Sequence, residues 1–233
     1  MLALESVNQF YNETHILWDV DFKLEKGSFT CLMGRNGVGK TTCLRVMMGL
    51  LPARSGKVVF DGRELQGKPS DVRARLGIGY VPQGREIFGQ LTVEENLDIG
   101  AVAIGLPRKV AVARKNRVFD IFPVLKKMLG RRGGDLSGGQ QQQLAIGRAL
   151  MLEPKVLILD EPCEGIQPNI VSEIGDILMR LNKEGLTVLL VEQKLPFARR
   201  VANDFVILER GRVVAKGPMP ALTEEVVQRH LTV

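Results

Sequence analysis

The sequence predicts an α/β fold in which a parallel β core carries an antiparallel β subdomain and an inserted helical subdomain. Short apolar runs that do not alternate with polar residues are typical of strands buried on both faces, and they occur in SFTCLM, KVLILD, TVLLVEQ and DFVILE. Turn signals at Asp61-Gly62 and Arg210-Gly211 indicate antiparallel hairpins. From Thr92 to about Leu152 the pattern becomes helical, and Thr92 with Glu95 is typical of a capping box.

The remaining elements follow in chain order. Val20, Phe22 and Leu24 alternate with polar residues, which favours a half-buried strand near the N-terminus. Residues 71–83, which end in LGIGYVPQ, predict a further strand, and residues 169–183 predict a helix that crosses between two core strands. We expect one domain, residues 1–233. Its core and β subdomain would comprise residues 1–87 and 153–233, and its helical subdomain residues 88–152.

Composition excludes several classes of protein. The chain is 45% hydrophobic and 25% charged, as in ordinary globular proteins, and no apolar run approaches the roughly 20 residues that span a bilayer. The N-terminus lacks the pattern of a signal peptide. Cys31, Cys43 and Cys163 are widely spaced and odd in number, so neither a disulfide framework nor a zinc site is indicated. A reducing cytoplasm is the expected setting.

The net charge of +6 is unevenly placed, because residues 108–132 hold nine basic residues against one acidic residue, Asp120. This basic segment is either a solvated helix face or a surface for anionic lipid headgroups or an acidic partner. Nucleic acid is disfavoured as a partner, because only Phe119 and Phe122 interleave with the charges and no binding motif accompanies them.

A phosphate-binding loop follows directly after the buried strand SFTCLM. GRNGVGKTT, which begins at Gly34, satisfies G-x-x-x-x-G-K-[ST] and opens a helix. The loop's N–H groups can form an anion nest, and the helix N-terminus adds its dipole. We expect Lys40 to contact the β- and γ-phosphates and Thr41 to bind Mg²⁺. The predicted nucleotide-binding residues here are Gly34, Arg35, Asn36, Gly37, Val38, Gly39, Lys40, Thr41 and Thr42.

Two acidic residues follow a second buried strand, in KVLILDEP. Asp160 stands at the end of that strand, where its carboxylate can hold Mg²⁺. Glu161 comes next, and an acid beside the metal ligand can orient or deprotonate the attacking water. The alternative is an ordinary acidic turn after a core strand.

A second small-residue turn, DLSGGQ, also enters a helix, which makes it another anion site. Its predicted binding residues are Ser137, Gly138, Gly139 and Gln140. One chain therefore carries two phosphate-binding helix starts but only one acid for Mg²⁺. A head-to-tail dimer, with each nucleotide between one chain's Gly34 loop and the other chain's Ser137 turn, resolves this mismatch.

With these three motifs in this order, essentially the whole chain resembles an ATP-binding subunit of an ABC transporter, a P-loop NTPase. The resemblance implies ATP and Mg²⁺ as cofactors and ATP hydrolysis as the activity. It also implies that Tyr11 stacks on adenine, although core packing is an alternative for this residue. Gln83 in YVPQ matches the loop glutamine that senses Mg²⁺ and the membrane partner, so it joins Thr41 and Asp160 in the predicted metal set and Glu161 in the catalytic set.

Two positions depart from the general pattern of the family. Gln167 stands where an aspartate usually helps to join the two subunits, and Gln193 occupies the position of the switch histidine that contacts the γ-phosphate. These features resemble the second ATPase subunit of importers for branched-chain amino acids and of their sister urea importers. EGIQP and the run from Gln140 to Gln143 favour urea, with branched-chain amino acids or short amides as the alternative.

The resemblance implies a peripheral protein on the cytoplasmic side of the inner membrane. Its expected partners are a second, non-identical ABC ATPase subunit, two transmembrane permease subunits and an extracytoplasmic solute-binding protein. A soluble ABC ATPase that acts on nucleic acid is disfavoured because the cassette is single and uninterrupted. A non-hydrolysing partner module is favoured only by Gln193, and Glu161 argues against it.

Overall fold

The computed structural model describes residues 1–232 and contains two β-sheets. The four-stranded antiparallel sheet has the order β2-β1-β4-β5, and the six-stranded sheet has the order β10-β9-β3-β8-β7-β6. Within the larger sheet β9, β3, β8, β7 and β6 are parallel, while β10 pairs antiparallel at one edge. The strands are β1 Leu2–Tyr11, β2 Thr14–Leu24, β3 Phe29–Met33, β4 Ser55–Phe60, β5 Arg63–Glu64, β6 Ile78–Val81, β7 Val156–Asp160, β8 Thr187–Val191, β9 Asp204–Glu209 and β10 Arg212–Pro218.

The core strands are apolar throughout because both faces of the parallel sheet are covered. Alternate side chains of a strand point to opposite faces. In β8, Val188 and Leu190 belong to one hydrophobic cluster, whereas Leu189 and Val191 belong to another. The first cluster is shared with helices, and the second includes the apolar face of the antiparallel sheet. This two-sided burial explains the lack of alternation and confirms the predicted fold class.

Most of the helices lie between β6 and β7 or cross between core strands. Four of the helices lie in residues 88–152, the predicted helical subdomain. The boundaries of the subdomains stay a prediction. The helices are α1 Lys40–Met47, α2 Ser70–Leu76, α3 Val93–Ala103, α4 Arg108–Ile121, α5 Pro123–Lys126, α6 Gly138–Leu150, α7 Pro168–Lys183, α8 Leu195–Val201 and α9 Glu224–His230.

The strand predicted over residues 71–83 is only partly correct. The first half of that range belongs to α2, and the strand β6 is confined to Ile78–Val81. The helix ends at Gly77, which has a left-handed φ of +110°. Buried Arg73 anchors α2, since its guanidinium donates to the carbonyls of Val46, Met47, Leu65 and Lys68. An arginine with four carbonyl partners, two of them more than 25 residues away in the chain, leaves no periodic signal in the sequence.

Two helices begin with the same capping motif. The Thr92 hydroxyl accepts a hydrogen bond from Glu95 N, and the Glu95 carboxylate accepts one from Thr92 N, which confirms the predicted capping box of α3. Ser137 and Gln140 make the equivalent reciprocal pair at the start of α6. Each pair satisfies two backbone donors that a helix start leaves free.

Part of the basic segment is neutralised within the chain. Arg114 pairs with Glu153 at 2.7 Å, Lys115 with Glu94 at 2.9 Å and with Asp98 at 2.7 Å, and Arg117 with Glu184 at 3.4 Å. The other six basic side chains are exposed and make no ion pair with any residue in the range 1–232: Arg108, Lys109, Lys126, Lys127, Arg131 and Arg132.

An aromatic stack lies on the antiparallel sheet. The His15 ring lies between Phe10 and Trp18, with ring centroids 3.9 Å and 3.5 Å away, and the Arg212 guanidinium lies 4.9 Å from the Trp18 ring. The backbone joins this stack to the phosphate loop, because Trp18 N donates to Gly211 O and Gly211 N donates to Val38 O.

The three cysteines are buried and free, in keeping with the prediction that they form no disulfide framework. Within residues 1–232, no helix has both the length and the apolar character needed to cross a membrane.

Candidate functional site

A cavity of about 800 Å³ lies at the carboxyl ends of β3, β7 and β8, where ligands gather in open parallel sheets. It brings together residues from all the motifs predicted to contact one nucleotide except the Ser137 turn. The lining residues are Tyr11, Ile16, Asn36, Gly37, Gly39, Lys40, Thr41, Thr42, Gln83, Glu161, Glu164, Gly165, Glu192, Gln193 and Lys194. Gly34, Arg35 and Val38, also predicted, belong to the loop but do not line this cavity.

The loop after β3 is folded around the ammonium group of Lys40. Lys40 Nζ donates to Gly34 O and to Arg35 O, both at 2.8 Å, and the side chain is only 6% exposed. Gly34 cannot be replaced, because a Cβ there would lie 2.3 Å from Leu208 O. Burial lowers the pKa of Lys40, while the carboxylates of Glu161 and Asp160 oppose that shift. The loop therefore presents a buried positive charge at the start of α1.

Asp160 ends β7 with a carboxylate that is 2% exposed and has no hydrogen-bond partner for either oxygen within residues 1–232. Burial raises its pKa to about 6, and Glu161 adds to the shift. The nearby Thr41 hydroxyl opposes the shift, although the two groups do not reach normal hydrogen-bond geometry. Two unpaired buried oxygens beside a hydroxyl fit a divalent cation, whose remaining ligands would come from nucleotide and water.

The carboxylate of Glu161 is held by two side-chain amides. Gln193 Nε2 donates to Glu161 Oε1, and Gln83 Nε2 donates to Glu161 Oε2 at 3.2 Å. The residue has a left-handed φ of +48°, and its N–H donates to Val191 O. The strained backbone and the two amides fix the carboxylate in the lining of the cavity.

Gln193 links the phosphate loop to the acidic pair. Its Nε2 also donates to Asn36 Oδ1 at 2.8 Å. A neutral amide thus lies between the loop and Glu161, at the position where the resemblance implied a histidine. It can donate and accept hydrogen bonds but does not titrate near neutral pH.

Tyr11 lines the cavity and is 38% exposed, so core packing does not account for it. Ile16 also lines the cavity, from the strand paired with that of Tyr11. Ile16 was not predicted, because its place in the short apolar run Ile16-Leu17-Trp18 carries no signal of nucleotide binding.

Glu164 and Arg85 are further residues that the sequence did not indicate. Glu164 Oε2 accepts a hydrogen bond from Gln83 Nε2 at 3.0 Å. Arg85 donates to Gln141 Oε1 at 3.2 Å and to Glu164 O at 3.0 Å, joining α6 to the segment after Glu161. The only sequence signal was their position, since Arg85 follows Gln83 and Glu164 follows Glu161 within three residues.

The Ser137 turn does not line the Lys40 cavity. Ser137 and Gln140 are engaged in capping α6, since Ser137 N donates to Gln140 Oε1 at 3.0 Å and Ser137 Oγ accepts from Gln140 N at 3.4 Å. Gly138 and Gly139, at the first two helical positions, keep backbone N–H groups without intrahelical partners. Any anion that binds them is separate from one bound at Lys40.

Comparison with known proteins agrees with this arrangement. The chain is 42% identical over 214 residues to the high-affinity branched-chain amino acid transport ATP-binding protein BraG of Pseudomonas aeruginosa, covering 92% of this chain and 91% of that protein. It is 39% identical over 225 residues to the probable branched-chain amino acid transport ATP-binding protein LivF of Archaeoglobus fulgidus, covering 96% and 94%.

A solved structure of a dimeric bacterial ABC transporter cassette superposes with a TM-score of 0.85 at 25% identity, covering 94% of this chain and 99% of that one. A model of the ABC transporter family matches residues 17–164, which include the phosphate loop, the Ser137 turn and the Asp160-Glu161 pair. The chain belongs to the ABC transporter family and is an ATP-binding, ATP-hydrolysing transporter subunit.

Proposed function

We propose that this chain is the energy-coupling ATPase of an importer and works in a head-to-tail dimer. The observation that carries the proposal is the separation of the two anion sites, since the Ser137 turn is absent from the lining of the Lys40 cavity. A nucleotide bound at Lys40 would leave its γ-phosphate open to a second subunit's Ser137 turn. The similarity to a dimeric cassette supports this assembly.

The residues of the cavity have distinct proposed tasks. Lys40 binds the β- and γ-phosphates, Tyr11 stacks on the base, and Thr41 and Gln83 hold Mg²⁺. Asp160, buried behind the lining next to Glu161, is the third proposed ligand of Mg²⁺. Mg²⁺, when bound, neutralises charge that develops on the phosphates. Glu161 accepts a proton from the attacking water, and Gln193 orients the Glu161 carboxylate through the hydrogen bond between them.

We infer that the second ATPase subunit is a different chain. Gln193 donates hydrogen bonds but cannot hold a proton near neutral pH, so the site built on this chain's Lys40 hydrolyses ATP less efficiently than one with a histidine. The Ser137 turn of this chain can still complete a fully active site on that partner.

The remaining partners follow from the family. Two permease subunits form the pathway, a solute-binding protein delivers the cargo from outside, and this chain binds the permeases from the cytoplasmic side. Relatives named as transport ATP-binding proteins support this placement.

The proposed cargo is an amino acid, because the relatives named above are described as branched-chain amino acid transport proteins. Urea, which EGIQP and the glutamine run favour, is the second candidate. No residue of the cavity contacts cargo, so the choice rests on the complex and not on this chain.

One experiment tests both the coupling role and the proposed cargo. The complex is purified from membranes through a tag on this chain, and its solute-binding component is titrated with leucine and with urea. Recovery of two permeases and binding of leucine supports the proposal. Binding of urea alone changes the cargo, and a complex without permeases contradicts the coupling role.

A further inference from the structure

Glu192 is a buried acid that the proposed chemistry does not use. It follows β8, is 4% exposed, and its N–H donates to Leu32 O at 3.4 Å. A buried carboxylate costs free energy unless hydrogen bonds satisfy it. The hydrogen-bond partners of the Glu192 carboxylate therefore indicate which groups it positions.

One oxygen of Glu192 fixes the turn that leaves β8. Its Oε1 accepts from Gln193 N at 2.9 Å and from Lys194 N at 3.0 Å. Both N–H groups lie between the end of β8 and the first turn of α8, and neither donates to a strand or helix carbonyl within residues 1–232. The second oxygen, Oε2, is buried and has no hydrogen-bond partner within residues 1–232. The two bonds at Oε1 thus hold two successive peptide groups in one orientation.

The turn directs two side chains towards the hydrolysis site. The Gln193 amide reaches Asn36 Oδ1 and Glu161 Oε1, and Lys194 Nζ donates to Cys163 O at 3.2 Å. The phosphate loop and the segment after Glu161 are therefore both tied to one turn. Any rotation of that turn would withdraw the Gln193 amide from the Glu161 carboxylate.

We propose that Glu192 is a positioning residue for ATP hydrolysis: through the two N–H groups that it binds, it sets the side chain of Gln193 between the phosphate loop and Glu161. The inference rests on the proposed role of Gln193 in orienting Glu161. In this proposal Glu192 acts through the position of its accepting oxygen and not through its charge.

Two substitutions of Glu192 distinguish the position of its accepting oxygen from its charge. Glu192→Gln keeps an acceptor oxygen at the same distance from the backbone and removes the charge. Glu192→Asp keeps the charge and withdraws the oxygen by one methylene. Turnover is measured in a complex whose partner carries Gln for its catalytic Glu, so that only the site built on this chain's Lys40 is active. In that complex we expect Glu192→Gln to keep ATP turnover within threefold of the wild-type chain. We expect Glu192→Asp to lower kcat at least tenfold with KM for ATP changed less than threefold. The opposite order, equal losses, or no loss in either variant would overturn the proposal.

Amide hydrogen exchange reports the position of the turn independently of catalysis. The Gln193 and Lys194 amides should exchange at least tenfold faster in Glu192→Asp and near the wild-type rate in Glu192→Gln. Unchanged exchange in Glu192→Asp contradicts the inference even where turnover falls. Glu184→Asp is a matched control, since Glu184 lies just before β8 at its other end and is exposed. It should change neither turnover nor this exchange.

A double substitution separates failure of this inference from failure of the proposed function. In a Gln193→Ala background, Glu192→Asp should lower kcat by less than twofold, because the amide to be positioned is gone. An undiminished tenfold loss there makes Glu192 a general structural residue. If Gln193→Ala alone leaves turnover unchanged, the proposed role of Gln193 is wrong and the positioning role falls with it. In that case the hydrogen-exchange result still shows whether Glu192 fixes the turn after β8.

Discussion

At the scale of single residues, Asp160 is in a position that favours its neutral form when no cation is bound. Burial raises its pKa to about 6 from an ordinary value of 3.8. The folded chain therefore binds the proton more tightly than the unfolded chain, and ionised Asp160 destabilises the fold at neutral pH. Asp160→Asn should raise the free energy of unfolding of the nucleotide-free chain by about 1–2 kcal/mol at pH 7.5, after allowing for a poorly paired amide.

Urea denaturation at several pH values checks this expectation. The gain should be full above pH 6, where the folded wild-type carboxyl is ionised, and should shrink as the pH falls towards 4. Below that pH both states of the wild type are protonated and the difference disappears. A gain that grows on acidification would contradict the account. Leu157→Ala in the same strand is a destabilising control whose effect should not follow this pH window.

Substitutions of Glu161 and of Lys40 should impair different steps, hydrolysis and nucleotide binding respectively. Glu161→Gln should keep ATP binding and lower turnover by roughly 10²–10⁴-fold, the usual contribution of a general base. Lys40→Ala should instead weaken ATP affinity, because it removes the buried charge that contacts the phosphates. Equilibrium binding and steady-state hydrolysis are measured on each variant in an assembled complex whose partner carries Gln for its catalytic Glu, so that only the site built on this chain's Lys40 contributes turnover. Wild-type turnover by Glu161→Gln in that complex would show that another group accepts the proton.

At the scale of elements, the two capping boxes allow structure and function to be separated. Ser137→Ala and Thr92→Ala each remove a helix cap, and each should cost about 1 kcal/mol of stability. Only Ser137 belongs to the turn proposed to meet the partner's nucleotide. Thermal melts should therefore show similar losses, whereas ATP turnover by the dimer should fall at least tenfold for Ser137→Ala alone. Equal turnover in both variants would remove the proposed role of the turn.

The basic segment can be tested through residues that are free of internal partners. Reversing Arg114, Lys115 and Arg117 would break ion pairs with Glu153, Glu94, Asp98 and Glu184, so a loss of binding would be ambiguous. Reversal of exposed Lys109, Lys126 and Lys127 to Glu should instead reduce sedimentation with anionic vesicles at low salt, where screening is weakest. ATP binding should be unchanged.

The control for the basic segment is reversal of Lys26, Arg63 and Lys68. These side chains are exposed, lie outside the segment and carry the same total charge. Equal losses of vesicle binding from both sets of reversals would mean that only the net charge of the chain matters. No loss of vesicle binding from either set would mean that the basic segment is a solvated helix face.

At the scale of the whole molecule, the proposed heterodimer should have unequal sites. Substituting Gln for the catalytic Glu in each subunit separately, within the reconstituted transporter, measures each site's share of the ATPase rate. We expect a small loss, below threefold, from Glu161→Gln here and a loss of at least tenfold from the equivalent change in the partner. Equal losses would mean that Gln193 replaces the histidine adequately.

Local signals predicted the elements well, and long-range contacts set the limits of that prediction. The runs around Cys31, Ile158 and Leu190 indicated the parallel sheet because burial on both faces removes alternation. The motifs placed Lys40, Asp160 and Glu161 correctly after their strands. The sequence could not reveal α2, which Arg73 anchors through distant carbonyls. Nor could it reveal Arg85, Glu164 or Glu192, because their partners come together only when separate strands and loops fold to one edge of the sheet.

The stack of Phe10, His15 and Trp18 gives the protein an internal optical label. Trp18 is the single tryptophan of the chain, so its fluorescence has one source. That indole stacks on an imidazole and lies beside a guanidinium, and its backbone is joined through Gly211 to the phosphate loop. We therefore expect emission from the unlabelled protein to report changes at the phosphate loop in real time, with no dye and no substitution.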